Sequence, residues 1–296
     1  MKRVLVTGAR GFLGHASMRV LKARGWDIVG VSSSDERGYT RVDLLDDRAI
    51  RAVLSEVRPT HLLHAAWKPV RGDVMRSPEN LIWLRAGLGL VQAFRELGGE
   101  RAVVIGSSAE YDWNHGICRN HVTPLRPGTI YGACKNAMRI ALESYASTIG
   151  LSFIWPRVFF VYGPGEHETR LGASVIRSLL RGEPAECTEG LQVRDYLHVD
   201  DVASGIVAAL ESDYNGTVDI ASGDGVAVRD LVLTIARELD REDLVRLGAR
   251  PLAPSEAPLV VGDPAEAASV LGWTARFTLK EGITDTVARE RATFVK

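Results

Sequence analysis

Arg3-Val-Leu-Val-Thr7-Gly8-Ala-Arg10-Gly11-Phe12-Leu13-Gly14 decides how this chain is read. Residues 3–7 are a short apolar run, the pattern of a strand buried on both faces of a sheet. Glycines follow at once, and Met18, Val20 and Leu21 then recur at helical spacing. Strand, glycine turn and helix in that order make a dinucleotide loop. Glycines let backbone approach a pyrophosphate, and a helix N-terminus offers free N–H groups and the positive end of its dipole. The spacing of Gly8, Gly11 and Gly14 is G-x-x-G-x-x-G, one residue off the G-x-G-x-x-G of many dehydrogenases.

Outward from that loop, the next strand is Ile28-Val-Gly-Val31, running into Ser32-Ser33-Ser34. A carboxylate at this strand end would accept from the adenosine ribose, select NAD and repel a 2′-phosphate. Serines stand there instead, with Arg10 in the glycine loop and Arg37 just beyond, and hydroxyls beside an arginine suit a phosphate. The expectation is NADP(H), held in part by Arg10, Ser32 and Ser33, with NAD(H) as the alternative and two solvated arginines as the plain reading. Asp43-Leu44 follows a short strand. Asp43 accepts from the adenine amino group, caps a helix over 46–56, or does both.

Residues 61–66 (HLLHAA) read as the fourth strand, whose small Ala65 and Ala66 let a cofactor pass close by. His64 reads as a hydrogen-bonded core histidine. Lys68 either reaches a cofactor phosphate or lies with Trp67 in a surface loop. A long helix over 79–97 ends at Gly98-Gly99. The fifth strand, 102–105, terminates in Gly106-Ser107-Ser108-Ala109-Glu110-Tyr111. Ligands of doubly wound sheets sit beyond the carboxyl ends of strands, so a hydroxyl here faces the cofactor.

Tyr131-Gly-Ala-Cys-Lys135 opens a helical run through Ala137, Ile140, Ala141 and Tyr145. Residues four apart share a helix face. A cation there favours the phenolate and lowers the phenol's pKa, which suits a proton donor or acceptor for a hydroxyl/ketone pair. Taken alone, such a pair is also common on an ordinary helix surface.

Length and composition bound the rest. At 296 residues the chain holds one large α/β domain or two modest ones. With 46% hydrophobic and 25% charged residues and a net charge of -1, it carries no electrostatic footprint for nucleic acid or an acidic membrane surface. Cys118, Cys134 and Cys187 fit neither a disulfide framework nor a metal pattern, so free thiols, a cytoplasmic location and no metal are expected. Met1-Lys2-Arg3 leads straight into the first strand, with no signal-peptide pattern, and no apolar run approaches the roughly 18 residues of a membrane span.

In the second half, 170–182 reads as an amphipathic helix and 187–194 as a turn and strand. Asp200-Asp201 read as the N-cap and first-turn acid of a helix from Val202 to Leu210. They are not read as a metal site, which would need three or more ligands together. A strand over 217–220, a helix over 228–239, a proline-rich loop at 250–258 and closing helices at 263–271 and 278–292 complete the pattern. Trp113, Trp155 and Trp273 read as packing residues.

Taken together, TGARGFLG at 7–14, Asp43-Leu44, HAA at 64–66, SSAEY at 107–111, YGACK at 131–135, RVFFVYGPGE at 157–166 and RDYLHVDDVA at 194–203 resemble the extended short-chain dehydrogenase/reductase family. The likeness is to its nucleotide-sugar epimerase, dehydratase and reductase branch, and it spans essentially the whole chain. It implies a doubly wound parallel sheet, with 1–160 and 194–222 binding the dinucleotide. Residues 161–193 and 223–296 would form a smaller mixed α/β lobe for a nucleotide sugar. It implies Tyr131 as acid/base, Lys135 as the ribose-binding cation and Ser107 as the hydroxyl that polarises the substrate oxygen, with Ser108 as its neighbouring substitute. Gly8, Gly11, Phe12 and Leu13 would hold the pyrophosphate, and Phe159 would lie against the cofactor. Arg194 matches a diphosphate ligand, or else forms a structural salt bridge, and Arg250 stands near a second substrate arginine.

Departures from the family pattern narrow the reaction. Ser108 and Ala109 replace the acidic pair of dehydratases, Phe160 replaces a substrate-binding asparagine, and Ala253 aligns with the late arginine of 4-epimerases. His121 stands where an acidic residue is frequent. The first expectation is an NADP(H)-dependent reductase of a nucleoside-diphosphate 4-keto-6-deoxysugar. An NAD-dependent nucleotide-sugar 4-epimerase is the alternative, followed by a reductase of apolar ketones and a cofactor-sensing scaffold without activity. The resemblance further implies a homodimer through 79–97 and 129–149.

Overall fold

The computed structural model describes residues 2–67, 74–253 and 256–294. The opening strand, β1 (Arg3–Thr7), leads to α1 (Phe12–Ala23), β2 (Asp27–Ser32), β3 (Thr40–Arg41), α2 (Asp47–Val57) and β4 (His61–His64). Then come α3 (Asn80–Glu96), β5 (Arg101–Val104), β6 (Gly106–Ser107), β7 (Ile117–Cys118), α4 (Ile130–Ile149) and β8 (Ser152–Val158). The second half runs through β9 (Phe160–Tyr162), α5 (Leu171–Leu180), β10 (Ala185–Glu186), β11 (Val193–His198), α6 (Val199–Glu211) and β12 (Gly216–Ile220). It closes with β13 (Gly225–Ala227), α7 (Val228–Glu238), β14 (Val245–Arg246), β15 (Leu259–Gly262), α8 (Ala265–Leu271) and α9 (Leu279–Phe294).

Among the described residues the main sheet runs β12-β8-β5-β4-β1-β2-β3, with β6 also pairing β8, and its pairings are parallel. Side chains alternate across a strand, and that alternation divides the core. Val4 and Val6 of β1 join Leu63, Val103, Ile154 and Val218 against Leu21 of α1 and Val202 and Ile206 of α6. Leu5, one residue out of phase, joins Leu62, Ala102 and Val104 against Ile50 and Leu54 of α2, Phe94 of α3 and Met138 of α4. Apolar runs are required here because both faces are covered. Each such fully buried side chain contributes about 1.5–3 kcal/mol.

A mixed sheet, β13-β11-β15-β7 with β9 on β11, continues from this layer, and β10 pairs β14. A separate apolar cluster joins Val175 and Ile176 of α5, Leu231 and Ile235 of α7 and Ile283 and Val287 of α9. The three cysteines are free and buried. No helix among the described residues is long and apolar enough to cross a membrane.

Two helix starts differ from expectation by a few residues. Asp46, not Asp43, caps α2: its Oδ1 accepts from Arg48 N at 2.9 Å, whereas Asp43 accepts from Leu45 N in the approach turn. The sequence offers three aspartates within five residues, and only the one beside the first helical residue reaches the exposed N–H groups. Likewise His198 caps α6, and both Asp200 and Asp201 fall in its first turn, where the helix dipole favours them. Asp201 is buried and accepts from Arg276 N and Phe277 N at 2.9 Å, which fixes the approach to α9.

Candidate active site

The glycine loop sits at the carboxyl end of β1 and touches the end of β4. Gly8 has a φ of +65°, and a Cβ there would come within 2.8 Å of the backbone of Ala65 and Ala66. A Cβ on Gly14 would fall on the Gly8 carbonyl oxygen. Thr7 and His64 lock the two strand ends, with Oγ1 to Nδ1 at 2.7 Å, so His64 is the bonded core histidine expected of it. At the start of α1, Gly11 supplies no side-chain cap and the first turn, which holds Phe12, Leu13 and Gly14, has no acid. The N–H groups and the positive dipole end are therefore free for an anion, and the cradle fits a dinucleotide pyrophosphate.

At the adenosine end, Arg10 does lie beside the serines after β2. Its Nη1 donates to Ser34 Oγ at 2.5 Å, and Ser32 Oγ lies 3.0 Å from Ser34 Oγ. Its Nη2 is paired with Glu36 at 2.5 Å. Glu36 is the carboxylate expected to be missing at this strand end, supplied four residues later by the loop. Of the two arginines behind an NADP preference, Arg10 thus already has a carboxylate partner and Arg37 is exposed. Ser33 is exposed, and Asp43 and Leu44 lie on the edge loop after β3. Lys68 falls outside the described residues.

The reacting end is built where β5 stops. Ser107 caps the short turn Ser108–Glu110: its Oγ accepts from Ala109 N at 3.2 Å, and the Glu110 carboxylate returns to Ser107 N at 2.8 Å. This is a capping box, with both partners reciprocally bonded. Ser107 is half-buried, whereas Ser108 is buried and gives its carbonyl to Trp113 Nε1 at 2.7 Å, so Ser107 is the hydroxyl that faces the cleft.

Helix α4 delivers Tyr131 and Lys135. Thr129 caps it, accepting from Gly132 N at 3.1 Å. A Cβ at Gly132 would fall on the Ala109 carbonyl oxygen, so the first turn of α4 lies directly on the Ser107 turn. The Ser107 hydroxyl lies close enough to the Tyr131 phenol to lower its pKa. Lys135 Nζ donates to Ile105 O at 2.8 Å and lies 4.0 Å from the Trp67 ring centroid and 6.0 Å from that of Tyr131. Trp67 meets Tyr131 edge-on at 5.8 Å and is held by Asn80 at 2.8 Å.

The charge states differ from the simple pairing expected. Burial pushes the Tyr131 phenol up to about 12; the Ser107 hydroxyl pulls it down, Glu110 pushes it up and Arg170 pulls it down. Burial pulls the Lys135 ammonium down to about 7, opposed by Glu110. Lys135 turns its ammonium to the Ile105 carbonyl and the Trp67 face, so it does not acidify the phenol in this arrangement.

On the substrate side, Arg194 is buried on β11. It donates to Val193 O at 2.8 Å, pairs with Glu256 and lies 5.3 Å from the Phe160 ring centroid. Its salt-bridge reading is therefore realised here. Arg250 is exposed, 3.7 Å from Glu186, and does not join Arg194. The Phe159 ring is also out of place for a cofactor contact. It is buried against Gly262 and near Tyr111, with centroids 6.5 Å apart, and its N–H donates to Ile220 O at 3.4 Å.

Glu110 and Arg170 went unread in the sequence, and Trp67 was read only as part of a surface loop, whereas it packs against Tyr131 and Lys135. Glu110 could have been found, because S-x-x-E is the capping-box pattern. Trp67 and Arg170, which acts on both Tyr131 and Tyr196, carry no local signal.

Residues 4–221 match the model of a family described as NAD dependent epimerase/dehydratase. A UDP-glucose 4-epimerase of Corynebacterium glutamicum is 29% identical, covering 93% of this chain and 92% of its own. One from Mycolicibacterium smegmatis is 27% identical, covering 96% and 97%. Among solved structures, a UDP-glucose 4-epimerase of Thermus thermophilus in complex with NAD superposes with a TM-score of 0.87 at 27% identity, covering 98% and 99%. MoeE5 in complex with UDP-glucose and NAD gives 0.86 at 29% identity, covering 99% of each chain.

Proposed function

Since the chain belongs to the NAD dependent epimerase/dehydratase family, we propose that it is an NAD-dependent 4-epimerase of a uridine-diphosphate hexose. The observation that carries this reading is an intact Ser107, Tyr131 and Lys135 in a chain that aligns end to end with UDP-glucose 4-epimerases. The Arg10–Glu36 pair favours NAD over NADP, because that arginine has its own carboxylate. NAD, when bound, supplies the hydride acceptor and a positive charge beside the phenol that favours the phenolate.

Tyr131 Oη takes the proton of the C4 hydroxyl as hydride leaves C4, and Ser107 Oγ donates to the same oxygen. Once the 4-keto sugar had turned its other face, Tyr131 would give the proton back to the C4 oxygen as C4 took the hydride supplied by bound NADH. Lys135 trades the Ile105 carbonyl for the hydroxyls of the nicotinamide ribose. Arg194 exchanges Glu256 for the sugar's diphosphate, with segments 161–193 and 223–296 forming the walls around it.

Two assays test this. Protein denatured after purification should release NAD, and the native protein should interconvert UDP-glucose and UDP-galactose with no cofactor added. Stoichiometric consumption of NADPH with a 4-keto-6-deoxysugar would overturn it and restore the reductase reading, which rests on Arg10 with the serines after β2, on Ser108-Ala109 in place of an acidic pair and on Ala253 in place of the late arginine. A homodimer through α3 and α4, whose Leu81 and Ile140 are more than half exposed, belongs to the same proposal and is checked by light scattering.

A further inference from the structure

Beneath Ser107 lies a carboxylate that touches no part of the cleft. Glu110 is completely buried. Its Oε1 accepts from Ser107 N at 2.8 Å and from Trp155 Nε1 at 2.9 Å; its Oε2 accepts from Arg157 Nε at 2.8 Å. Arg139, on the same helix as Tyr131 and Lys135, stands 3.9 Å from Oε2. Space is as tight as the bonding: a Cβ on Gly106 would fall on Trp155 Nε1 and lie 2.8 Å from Glu110 Oε1. An apolar residue would fill such a position at lower desolvation cost, so an ion held by three hydrogen bonds invites a reason beyond packing.

We propose that Glu110 is a positioning residue of this active site: it fixes Ser107 through its backbone N–H and supplies the anionic charge that Tyr131 and Lys135 feel from below. Two independent features support this. The bond to Ser107 N is the link in the capping box that a shorter side chain at 110 would break directly. In addition, Glu110 pushes both Tyr131 and Lys135 toward their protonated forms, against the burial that drains charge from Lys135. The other charged and titratable groups around it are Arg157 on β8, Arg139 on α4, and Asp219 on β12, which Tyr111 caps at 2.8 Å. Arg157 bonds Glu110 on one side and lies 3.9 Å from Asp219 on the other, while Arg139 is itself paired with Glu143 of α4.

The proposal rests on the assignment of Ser107, Tyr131 and Lys135 above, and its test includes a readout that needs no substrate. The chain has six lysines, Lys2, Lys22, Lys68, Lys135, Lys280 and Lys296. Carbon-13 labelling at lysine Cε, with Lys135→Arg for assignment, would follow the Lys135 ammonium through its titration. In Glu110→Gln an oxygen remains for Ser107 N and Trp155 while the charge is gone. The Lys135 midpoint should then fall by about one pH unit, and both limbs of the pH–kcat profile should move to lower pH. In Glu110→Asp the charge remains but the reach is lost. There kcat should fall about 10-fold at unchanged KM, with the limbs where the wild type has them.

If Glu110→Gln fails to fold, Glu110→Asp still decides the positioning half. An unmoved Lys135 midpoint in folded Glu110→Gln, or wild-type kcat in Glu110→Asp, overturns the proposal. Absence of turnover in the wild type with a normal Lys135 response would instead count against the epimerase reading alone.

Discussion

At residue 131 the decisive quantity is a single proton. Burial raises the Tyr131 phenol to about 12 and lowers the Lys135 ammonium to about 7, so the protein without cofactor favours a neutral phenol and a labile ammonium. Tyr131→Phe removes that proton and leaves the ring and its edge contact with Trp67. Turnover should drop about 10²–10⁴-fold while NAD binding, measured by calorimetry, stays near the wild-type value. The same reasoning gives NAD affinity a pH dependence. Lys135 is charged below about 7 and neutral above, so affinity should weaken as pH rises through that value, and Lys135→Met should flatten the curve. At the other end of the cofactor, Glu36→Ala would strip Arg10 of its carboxylate. NADP should then gain on NAD by about 10-fold in Kd, the worth of one charge-assisted contact to phosphate. An unchanged ratio would mean that Arg10 does not face the 2′ position.

Between elements, what matters is how closely α4 can lie on the Ser107 turn. Gly132→Ala puts a methyl group on the Ala109 carbonyl, so either α4 or the turn must give way. Alanine otherwise favours a helix over glycine. The expected outcome is therefore a large loss of kcat with only a modest fall in Tm, read by assay and by calorimetric melting. A loss of both in proportion would point to general destabilisation. This junction also marks how far sequence alone reaches. β1, β4 and β5 were legible because each carries the apolar run that a strand covered on both faces requires, and the place of Tyr131 and Lys135 on one helix was legible because helical spacing is fixed. Glu36 and Glu256 were not, because their roles depend on loops that carry them to Arg10 and to Arg194, 26 and 62 residues away in sequence. Phe159 shows a third limit: it lies between β8 and β9 with its ring buried against Gly262, and the motif around it does not say which way that ring turns. Asp43 and Asp46 differ only by where the first helical turn closes.

For the molecule as a whole, stability is tied to protons through Glu166. This carboxyl is buried beside α5, 3.8 Å from Arg170 and next to the Gly165 N–H that donates to Glu290 at 3.0 Å. Burial raises it to about 7; Arg170 and the Ala173 N–H pull it down and Glu290 pushes it up. An unfolded glutamate titrates near about 4.3. The folded chain therefore holds this proton more tightly than the unfolded chain does. Below about pH 4 both states are protonated and Glu166 contributes nothing to pH dependence; between about 4 and 7 the unfolded state alone releases the proton and gains relative to the native state. Above about 7 that loss is complete, on the order of 3–4 kcal/mol. This is the reverse of a salt-bridged carboxylate, whose contribution disappears as pH falls. Glu166→Gln keeps the shape and abolishes the titration, so urea melts should find it more stable than the wild type at pH 8 and closer to it at pH 4.5. Arg170, more than half exposed, offsets part of the Glu166 charge once that carboxyl ionises, so Arg170→Ala should widen the gap between the two pH values. A Glu166→Gln variant whose advantage is the same at both pH values would show that Glu166 is already ionised in the native protein at the lower one.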